Sequence, residues 1–153
     1  MTIKILIEEI DQTNKDIYDL LLLGDESKDM LNDYIGRSHK YVAKISEEIV
    51  GIIVIIKTRP KTLEIVNIAV KEEFQKKGIG KQLIKYVINR ARAEENKIIE
   101  IGTGNCGINQ IALYQKCGFR IVGVEPDFFK HYYEEFYENG ILCKDMIRMK
   151  LYL

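Results

Sequence analysis

The first half of the chain alternates between strand-like and helix-like patterns of apolar residues. Apolar positions with a period of two predict strands, and apolar positions three and four residues apart predict helices. A two-residue turn at Glu47 and Glu48 separates two of the apolar runs, which indicates a hairpin. The predicted strands of this half are residues 3–8, 40–46, 49–57 and 62–70, and the predicted helices are residues 14–23 and 27–35.

The second half predicts helices and strands that follow one another along the chain. An amphipathic helix over residues 78–95 precedes a strand over 98–103, a short helix over 109–116 and strands over 119–124 and 146–151. The whole order, β-α-α-β-β-β-α-β-α-β-β, combines a hairpin run with strand–helix–strand units. We therefore predict an α/β fold with a mixed sheet and helices on both faces.

The strand over residues 62–70 is apolar on both faces, which predicts a central position in the sheet. Regular alternation places Leu63, Ile65, Asn67 and Ala69 on one face, and Glu64, Val66, Ile68 and Val70 on the other. Glu64 is unusual there, because desolvation raises the pKa of a carboxyl group and makes it a better general base near neutral pH. The alternative is that Glu64 lies at a frayed strand start, paired with a lysine in solvent.

The composition is typical of one globular domain, which we predict to span residues 1–153. Hydrophobic residues make up 46% and charged residues 30% of the chain, and its 23 basic and 23 acidic residues cancel. This balance argues against a general nucleic-acid binder, and no apolar run approaches the roughly 20 residues that span a bilayer. Residues 1–4 lack the pattern of a signal peptide, so we expect a cytoplasmic protein without membrane attachment.

The cysteines and histidines show no metal-binding pattern. Cys106, Cys117 and Cys143 are scattered, and His39 and His131 lack ligand-like spacing to them. We expect reduced thiols that contribute to packing, and no metal cofactor.

The most informative stretch is the glycine- and lysine-rich turn over residues 75–80. Gly78 and Gly80 permit backbone conformations in which N–H groups converge, and the following helix adds its positive dipole. Nearby lysines add positive charge. This pattern predicts an anion site suited to a diphosphate, with a plain helix start bearing surface lysines as the alternative. A Walker A loop is excluded, because positions 75 and 82 are both glutamine.

A second glycine motif, residues 102–107, matches the G-x-G-x-x-G pattern of dinucleotide-binding folds. The helix after it is short, and no second parallel half follows. A nicotinamide-dependent oxidoreductase is therefore the weaker alternative, and the glycines are expected to loosen a strand end beside a ligand.

Three motifs together resemble the GNAT superfamily of N-acetyltransferases. Residues 75–80 are similar to its pyrophosphate motif Q/R-x-x-G-x-G/A, residues 68–70 to the strand before it, and residues 109–119 to its second acetyl-CoA motif. The order of elements agrees over nearly the whole chain. The resemblance implies a mostly antiparallel mixed sheet with one splayed pair of parallel strands, residues 62–70 and 98–103. The glycines at the end of the second strand would let substrate and thioester approach closely.

The resemblance also implies roles for the matching residues. Main-chain groups of Ile68 and Val70 would pair with the pantetheine arm, and Asn109 would contact it. Tyr114, which taken alone is interpreted as core packing, would protonate the departing thiolate. Glu64 matches the catalytic glutamate of the histone-acetylating branch, whereas other branches use water relays or other carboxylates. The main-chain N–H groups that would hold the coenzyme A pyrophosphate belong to Gln75, Lys76, Lys77, Gly78, Ile79, Gly80 and Lys81.

The implied reaction moves the acetyl group of acetyl-CoA to a primary amine by direct attack in a ternary complex. Glu64 would take the amine proton directly or through water, and the N–H of Ile68 or Ala69 would stabilise the oxyanion. A small-molecule amine is the expected acceptor. The alternatives are a protein or peptide amine, and a non-catalytic acyl-CoA-binding module.

The acceptor side is expected to involve residues 23–37 and the last hairpin. The acidic side chains of Asp25, Glu26, Asp29 and Asp33 either attract a cation or form a solvated helix face. Residues 127–138, which we name the aromatic segment, are dense in aromatic and acidic residues. They are predicted to form a lid over the amine or the contact of a homodimer.

Overall fold

A computed structural model describes residues 3–153 of the chain. A seven-stranded mixed sheet in the order β1-β2-β3-β4-β5-β9-β6 forms its centre, and β7 and β8 form a separate small hairpin. Helices cover the sheet on both faces, as predicted. The strands are β1 Leu6–Ile10, β2 His39–Ile45, β3 Glu48–Arg59, β4 Thr62–Val70, β5 Ile98–Gly104, β6 Arg120–Glu125, β7 Tyr137–Glu138, β8 Ile141–Leu142 and β9 Met146–Tyr152. The helices are α1 Lys15–Gly24, α2 Lys28–Tyr34, α3 Ile79–Ala93, α4 Ile108–Lys116 and α5 Phe128–Tyr132.

The predicted elements agree with the observed ones within a few residues, with two exceptions. The first strand lies later than predicted, at Leu6–Ile10 and not at residues 3–8. The helix α5 and the hairpin β7–β8 were not predicted, because α5 has five residues and each strand of the hairpin only two. The start of α1 is set by Asn14, whose side chain accepts a hydrogen bond from the Ile17 N–H, and the start of α2 by Ser27.

The parallel strands β4 and β5 separate halfway along their length. They pair only from Thr62 with Ile98 to Ile65 with Ile101. Beyond this point β4 stays paired with β3, while β5 stays paired with β9. The predicted splayed pair is therefore confirmed, and the gap between the two strands opens a cleft at their carboxyl ends.

A β-bulge at Val66 coincides with this separation. Asn67 pairs with Val54 of β3 and Ile65 pairs with Ile55, which leaves Val66 as an extra residue. A bulge of this kind reverses the alternation of the residues that follow. The prediction that Leu63, Ile65, Asn67 and Ala69 share one face is therefore wrong, because the faces exchange at Val66.

Two hydrophobic cores lie on opposite faces of the sheet. The larger one contains Leu63 and Ile65 together with the buried stripe of α3. The smaller one contains Ala69 and the buried residues of α1 and α2. No helix within residues 3–153 is long and apolar enough to cross a membrane.

Gly24, the last residue of α1, lets this helix approach β4 at the bulge. A Cβ atom added there would overlap Oδ1 of Asn67 and lie 2.9 Å from the Ile68 carbonyl oxygen. We expect Gly24→Ala to lower the free energy of unfolding by about 1–3 kcal/mol, because the buried Asn67 and the strand must both shift. Urea unfolding measures the change. Gly36→Ala is the matched control, since nothing lies within 4 Å of its added Cβ, and equal unfolding energies for the two variants would contradict the prediction.

Candidate active site

The separation of β4 and β5 creates a cleft of about 1240 Å³. It extends from the start of α3, past the ends of both strands, to the loop between α1 and α2. Among the residues predicted to act in catalysis or to bind acetyl-CoA, Lys77 alone lies outside the lining of the cleft. The predicted site residues that line it are Glu64, Ile68, Ala69, Val70, Gln75, Lys76, Gly78, Ile79, Gly80, Lys81, Asn109 and Tyr114.

The phosphate loop, which we define as residues 75–81, has the backbone expected of an anion site. Gly78 has a φ of +83° and caps the N-terminus of α3, and Lys76 also lies in the left-handed region, with a φ of +62°. The first turn of α3 contains no acidic residue. Free N–H groups and a positive dipole therefore face this end of the cleft together with lysine charge.

Two side chains of the loop make contacts within the protein. Gln75 donates from its amide nitrogen to the Val70 carbonyl oxygen at 2.9 Å, which fastens the loop to the end of β4. The ammonium of Lys77 lies 5.7 Å from the centre of the Phe74 ring. A cation above an aromatic face is stabilised there, and Lys77 contacts the Phe74 ring while lying outside the lining of the cleft.

The last residues of β4 present main-chain groups to the cleft in alternation. The Lys71 N–H donates to the Val50 carbonyl oxygen of β3, and Ala69 lies opposite Ile52. In an antiparallel pair with this register, Ala69 hydrogen-bonds to β3, while Ile68 and Val70 point their main-chain groups to the open edge. The Ile68 N–H is thus free to contact a ligand, whereas the Ala69 N–H is engaged in the sheet.

Glu64 lies on β4 where the strand is paired on both sides, so the alternative of a frayed strand start is wrong. Its side chain is 24% exposed, and Oε2 lies 3.7 Å from Nη1 of Arg148 on β9. Burial raises the pKa of Glu64, and the positive charge of Arg148 opposes this shift. The partner in the ion pair is an arginine and not the lysine of that alternative.

Tyr114 lies on α4 at the opposite wall of the cleft. It is only 4% exposed, and its ring packs against Phe119 with a centroid distance of 6.3 Å. Burial raises the pKa of its hydroxyl group above the ordinary value, so the side chain keeps its proton at neutral pH. The hydroxyl therefore keeps the proton that a general acid must supply, and its raised pKa makes it a weaker acid than an exposed tyrosine.

A chain of hydrogen bonds closes the other end of the cleft. The hydroxyl groups of Tyr34 and Tyr133 donate to the Asp25 carboxylate at 3.1 and 2.6 Å. Asn67 donates its amide N–H to the Tyr34 hydroxyl oxygen at 3.0 Å and to the Leu21 carbonyl oxygen at 2.8 Å. The sequence analysis did not predict the hydrogen bonds of Tyr34, Tyr133 and Asn67. An asparagine within an otherwise apolar strand could have indicated a buried hydrogen bond at Asn67. Asp25, Glu26 and Asp33 line the cleft, whereas Asp29 does not.

The aromatic segment folds back over this end of the cleft. Phe128 and Phe129 of α5 are buried against Cys106 and Cys143, and Met30 of α2 packs against the same cluster. Tyr132 and Tyr137 are exposed. The spacing of Phe128, Phe129, Tyr132 and Tyr133 is helical, and this signal could have predicted α5.

The glycine motif at residues 102–107 does not form a dinucleotide fingerprint. The strand that contains it, β5, has the antiparallel strand β9 as a neighbour and not a second parallel unit. Gly102 and Gly104 line the cleft, and the close approach of substrate and thioester to them stays a prediction. Protein sulfur atoms of Met146 and Cys143 fill the space beside Gly102 and Gly104.

No group of three or more His, Cys, Asp or Glu side chains within residues 3–153 is arranged to hold a metal ion. Cys106, Cys117 and Cys143 are free thiols, and Cys106 and Cys143 are buried. Burial raises the pKa of Cys106 to about 12, which keeps its thiol protonated and weakly nucleophilic. The expected packing role of these residues agrees with this burial.

Comparison with known proteins identifies the class to which this fold and cleft belong. The Acetyltransferase (GNAT) family matches residues 7–119. The uncharacterized N-acetyltransferase YvbK of Bacillus subtilis (strain 168) is 53% identical over 149 residues, which are 97% of this chain and 96% of that protein. A Bacillus subtilis acetyltransferase solved in complex with CoA has 53% identity and a TM-score of 0.93, covering 98% of this chain and 99% of that one. A GNAT family acetyltransferase from Elizabethkingia anophelis with acetyl-CoA bound has 45% identity and a TM-score of 0.93, covering 97% and 98% of the two chains.

The fold is therefore that of an acyltransferase. The chain belongs to the acetyltransferase (GNAT) family and is an acetyl-CoA-dependent N-acetyltransferase. The resemblance drawn from the three sequence motifs is confirmed.

Proposed function

We propose that this protein transfers the acetyl group of acetyl-CoA to the primary amine of a small molecule by direct attack. The observation that carries the proposal is the single cleft lined by the phosphate loop, Glu64 and Tyr114. Residues 1–153 would act as one catalytic domain. Acetyl-CoA is the only cosubstrate in the proposal, and no metal takes part.

Acetyl-CoA would lie along the open edge of β4. The N–H groups of residues 76–81 would hold its pyrophosphate, because within residues 3–153 they have no main-chain partner at the start of α3 and carry the positive end of the helix dipole. The Gln75 N–H donates to the Glu72 carbonyl oxygen at 3.2 Å, so Gln75 would act through its side chain. The exposed main-chain groups of Ile68 and Val70 would pair with the pantetheine arm, with Asn109 on the opposite wall. The Val70 carbonyl already accepts from Gln75, so the loop and the arm would be fixed by the same strand end.

Amine, thioester and proton donor would then meet between the two strands. Glu64 removes a proton from the ammonium group, directly or through water, and the free amine attacks the thioester carbonyl carbon. The Ile68 N–H stabilises the oxyanion, since Ala69 hydrogen-bonds to β3. As the carbon–sulfur bond breaks, the attacking nitrogen loses its second proton to solvent and becomes the amide nitrogen, while Tyr114 gives its own proton to the departing thiolate, which leaves as coenzyme A. Solvent then returns a proton to Tyr114 and accepts the proton held by Glu64.

A small acceptor is favoured because the aromatic segment and the α1–α2 loop meet over the acceptor end of the cleft. The 2.6 Å hydrogen bond from Tyr133 to Asp25 joins them. An extended polypeptide would have to break this contact, whereas a small amine fits beneath it. The carboxylates of Asp25, Glu26 and Asp33 favour a cation there. A homodimer stays a prediction, and so does the expected lack of nucleic-acid binding.

Calorimetric titration and a panel of amines test the proposal. Purified protein should bind acetyl-CoA and should release free thiol faster when small primary amines are added. Release with lysine peptides but with no small amine would favour a protein acceptor. Binding without thiol release on any amine would favour a non-catalytic acyl-CoA-binding module, and no binding of coenzyme A or acetyl-CoA would reject the assignment of the cleft.

A substitution at Gly80 tests the affinity for acetyl-CoA without lowering the stability of the fold. A Cβ added at Gly80 would meet only Leu113, at 3.6 Å, so Gly80→Ala fits the folded protein. The methyl group would nevertheless point into the cleft where the pyrophosphate is proposed to lie. We expect Gly80→Ala to unfold no more easily than the wild type but to bind acetyl-CoA about tenfold more weakly, or about 1.4 kcal/mol. Calorimetry measures the affinity, and unchanged affinity in a folded variant would contradict this position of the phosphates.

A further inference from the structure

Arg148 of β9 contacts three groups at the border of the cleft. Its Nη1 lies 3.7 Å from Oε2 of Glu64, and its Nη2 lies 2.9 Å from Oε1 of Glu125 on β6. Its guanidinium carbon also lies 5.6 Å from the centre of the Phe128 ring in the aromatic segment. The planar guanidinium is thus held by an aromatic face while it contacts two carboxylates at once.

The other charged groups around Glu64 are already paired. Glu100 of β5 lies opposite Glu64, but it binds Arg59 of β3 at 2.6 Å and lies 3.6 Å from Lys150 of β9. Arg37, which follows α2, pairs with Asp33 at 3.2 Å. Arg148 is therefore the only cation in direct contact with Glu64 among residues 3–153, and it shares that contact with Glu125.

We propose that Arg148 is a positioning residue for Glu64, and that Glu125 weakens the contact between Arg148 and Glu64 by competing for the same guanidinium group. The proposal rests on the proposed function, in which Glu64 takes the amine proton. Glu125 does not itself line the cleft, and its side chain is 51% exposed. A surface carboxylate on β6 would thereby set the pH range in which the base is ready to act.

The physical basis is the effect of neighbouring charge on a carboxyl group. Arg148 lowers the pKa of Glu64 against the upward effect of burial, and Glu100 raises it further. Removal of the Arg148 charge should therefore raise the pKa of Glu64. Removal of the Glu125 charge should lower it, because the whole guanidinium becomes available to Glu64 and a negative charge nearby is lost. The two substitutions act on the same contact in opposite directions.

The experiment is the pH dependence of kcat/KM for a small amine at saturating acetyl-CoA. A base must be ionised to work, so the rate rises with pH through the pKa of Glu64. In Arg148→Gln this acidic limb should move to higher pH, and in Glu125→Gln to lower pH. In Arg148→Lys the acidic limb should lie between its positions in the wild type and in Arg148→Gln. Lysine keeps the positive charge but cannot contact Glu64 and Glu125 through two separate nitrogen atoms. Glu47→Gln removes an exposed carboxylate in the turn between β2 and β3, outside the lining of the cleft, and should leave the limb where it is.

A second readout does not depend on activity. Carbon-13 titration of the Glu64 carboxyl group, assigned by its absence in Glu64→Gln, should show the same two opposite shifts. If neither Arg148→Gln nor Glu125→Gln moves this titration, the proposal is overturned. If both move it but Glu64→Gln keeps the limb in the rate profile, charge sharing is supported and the assigned role of Glu64 as base is rejected. Glu125 is exposed, so its variant keeps the test valid even if Arg148→Gln fails to fold.

Discussion

Replacing Tyr114 by phenylalanine is expected to lower kcat about 100-fold with little change in the KM for acetyl-CoA. Proton transfer by a positioned side chain contributes typically about 10²–10⁴-fold to a rate, and this substitution removes only the transferable proton. The ring remains, and it is the ring that packs against Phe119 in the core. Acetyl-CoA should therefore still bind, while thiolate departure slows. Steady-state thiol release over a range of acetyl-CoA concentrations measures both constants.

The pH dependence of the rate gives a second test of Tyr114 as the proton donor. Burial raises the pKa of its hydroxyl group, so loss of its proton should not reduce the wild-type rate below about pH 10, the ordinary tyrosine pKa. Tyr41→Phe is the matched control, because Tyr41 is equally buried but does not line the cleft. This control should keep the wild-type kcat. A Tyr114→Phe protein that also keeps it would reject the role of Tyr114 as proton donor and return it to core packing.

The sequence alone was sufficient to predict the helix and strand limits that depend on short local patterns. The limits of β4 at Thr62 and Val70, the start of α3 beside Gly78 and the end of α4 at Lys116 follow from runs and breaks within a few residues. The phosphate loop was predictable for the same reason. Its proposed function depends on consecutive N–H groups, glycine conformations and a helix dipole, all of which belong to one short segment.

The features that complete the cleft arise from contacts distant in sequence. The bulge at Val66 depends on the register between β3 and β4, and it changes which face Asn67 occupies. The hydrogen bond between Asp25 and Tyr133 joins residues 108 positions apart. Arg148 reaches Glu64 only because β9 inserts between β5 and β6 in the sheet. No periodicity or motif in a single sequence specifies these pairings, which follow from the sheet order.

Replacing Glu64 by glutamine is expected to lower kcat/KM about 100-fold near neutral pH and to flatten the acidic limb of its pH profile. Glutamine keeps the shape and the position on β4 but cannot accept the amine proton. Burial raises the pKa of the wild-type carboxyl, so the wild-type rate should climb with pH through a limb above the ordinary glutamate range. At high pH the amine loses its proton unaided, and the difference between wild type and Glu64→Gln should shrink.

Glu100→Gln provides the control, because Glu100 lies opposite Glu64 across the parallel pair and has a carboxylate of similar exposure. Its charge raises the pKa of Glu64, so its removal should move the acidic limb to lower pH while leaving it intact. A limb that persists in Glu64→Gln and vanishes in Glu100→Gln would assign the base to the other strand. A limb that persists in both would show that water or the solvent takes the proton, and the geometry of the cleft would then act through binding and orientation alone.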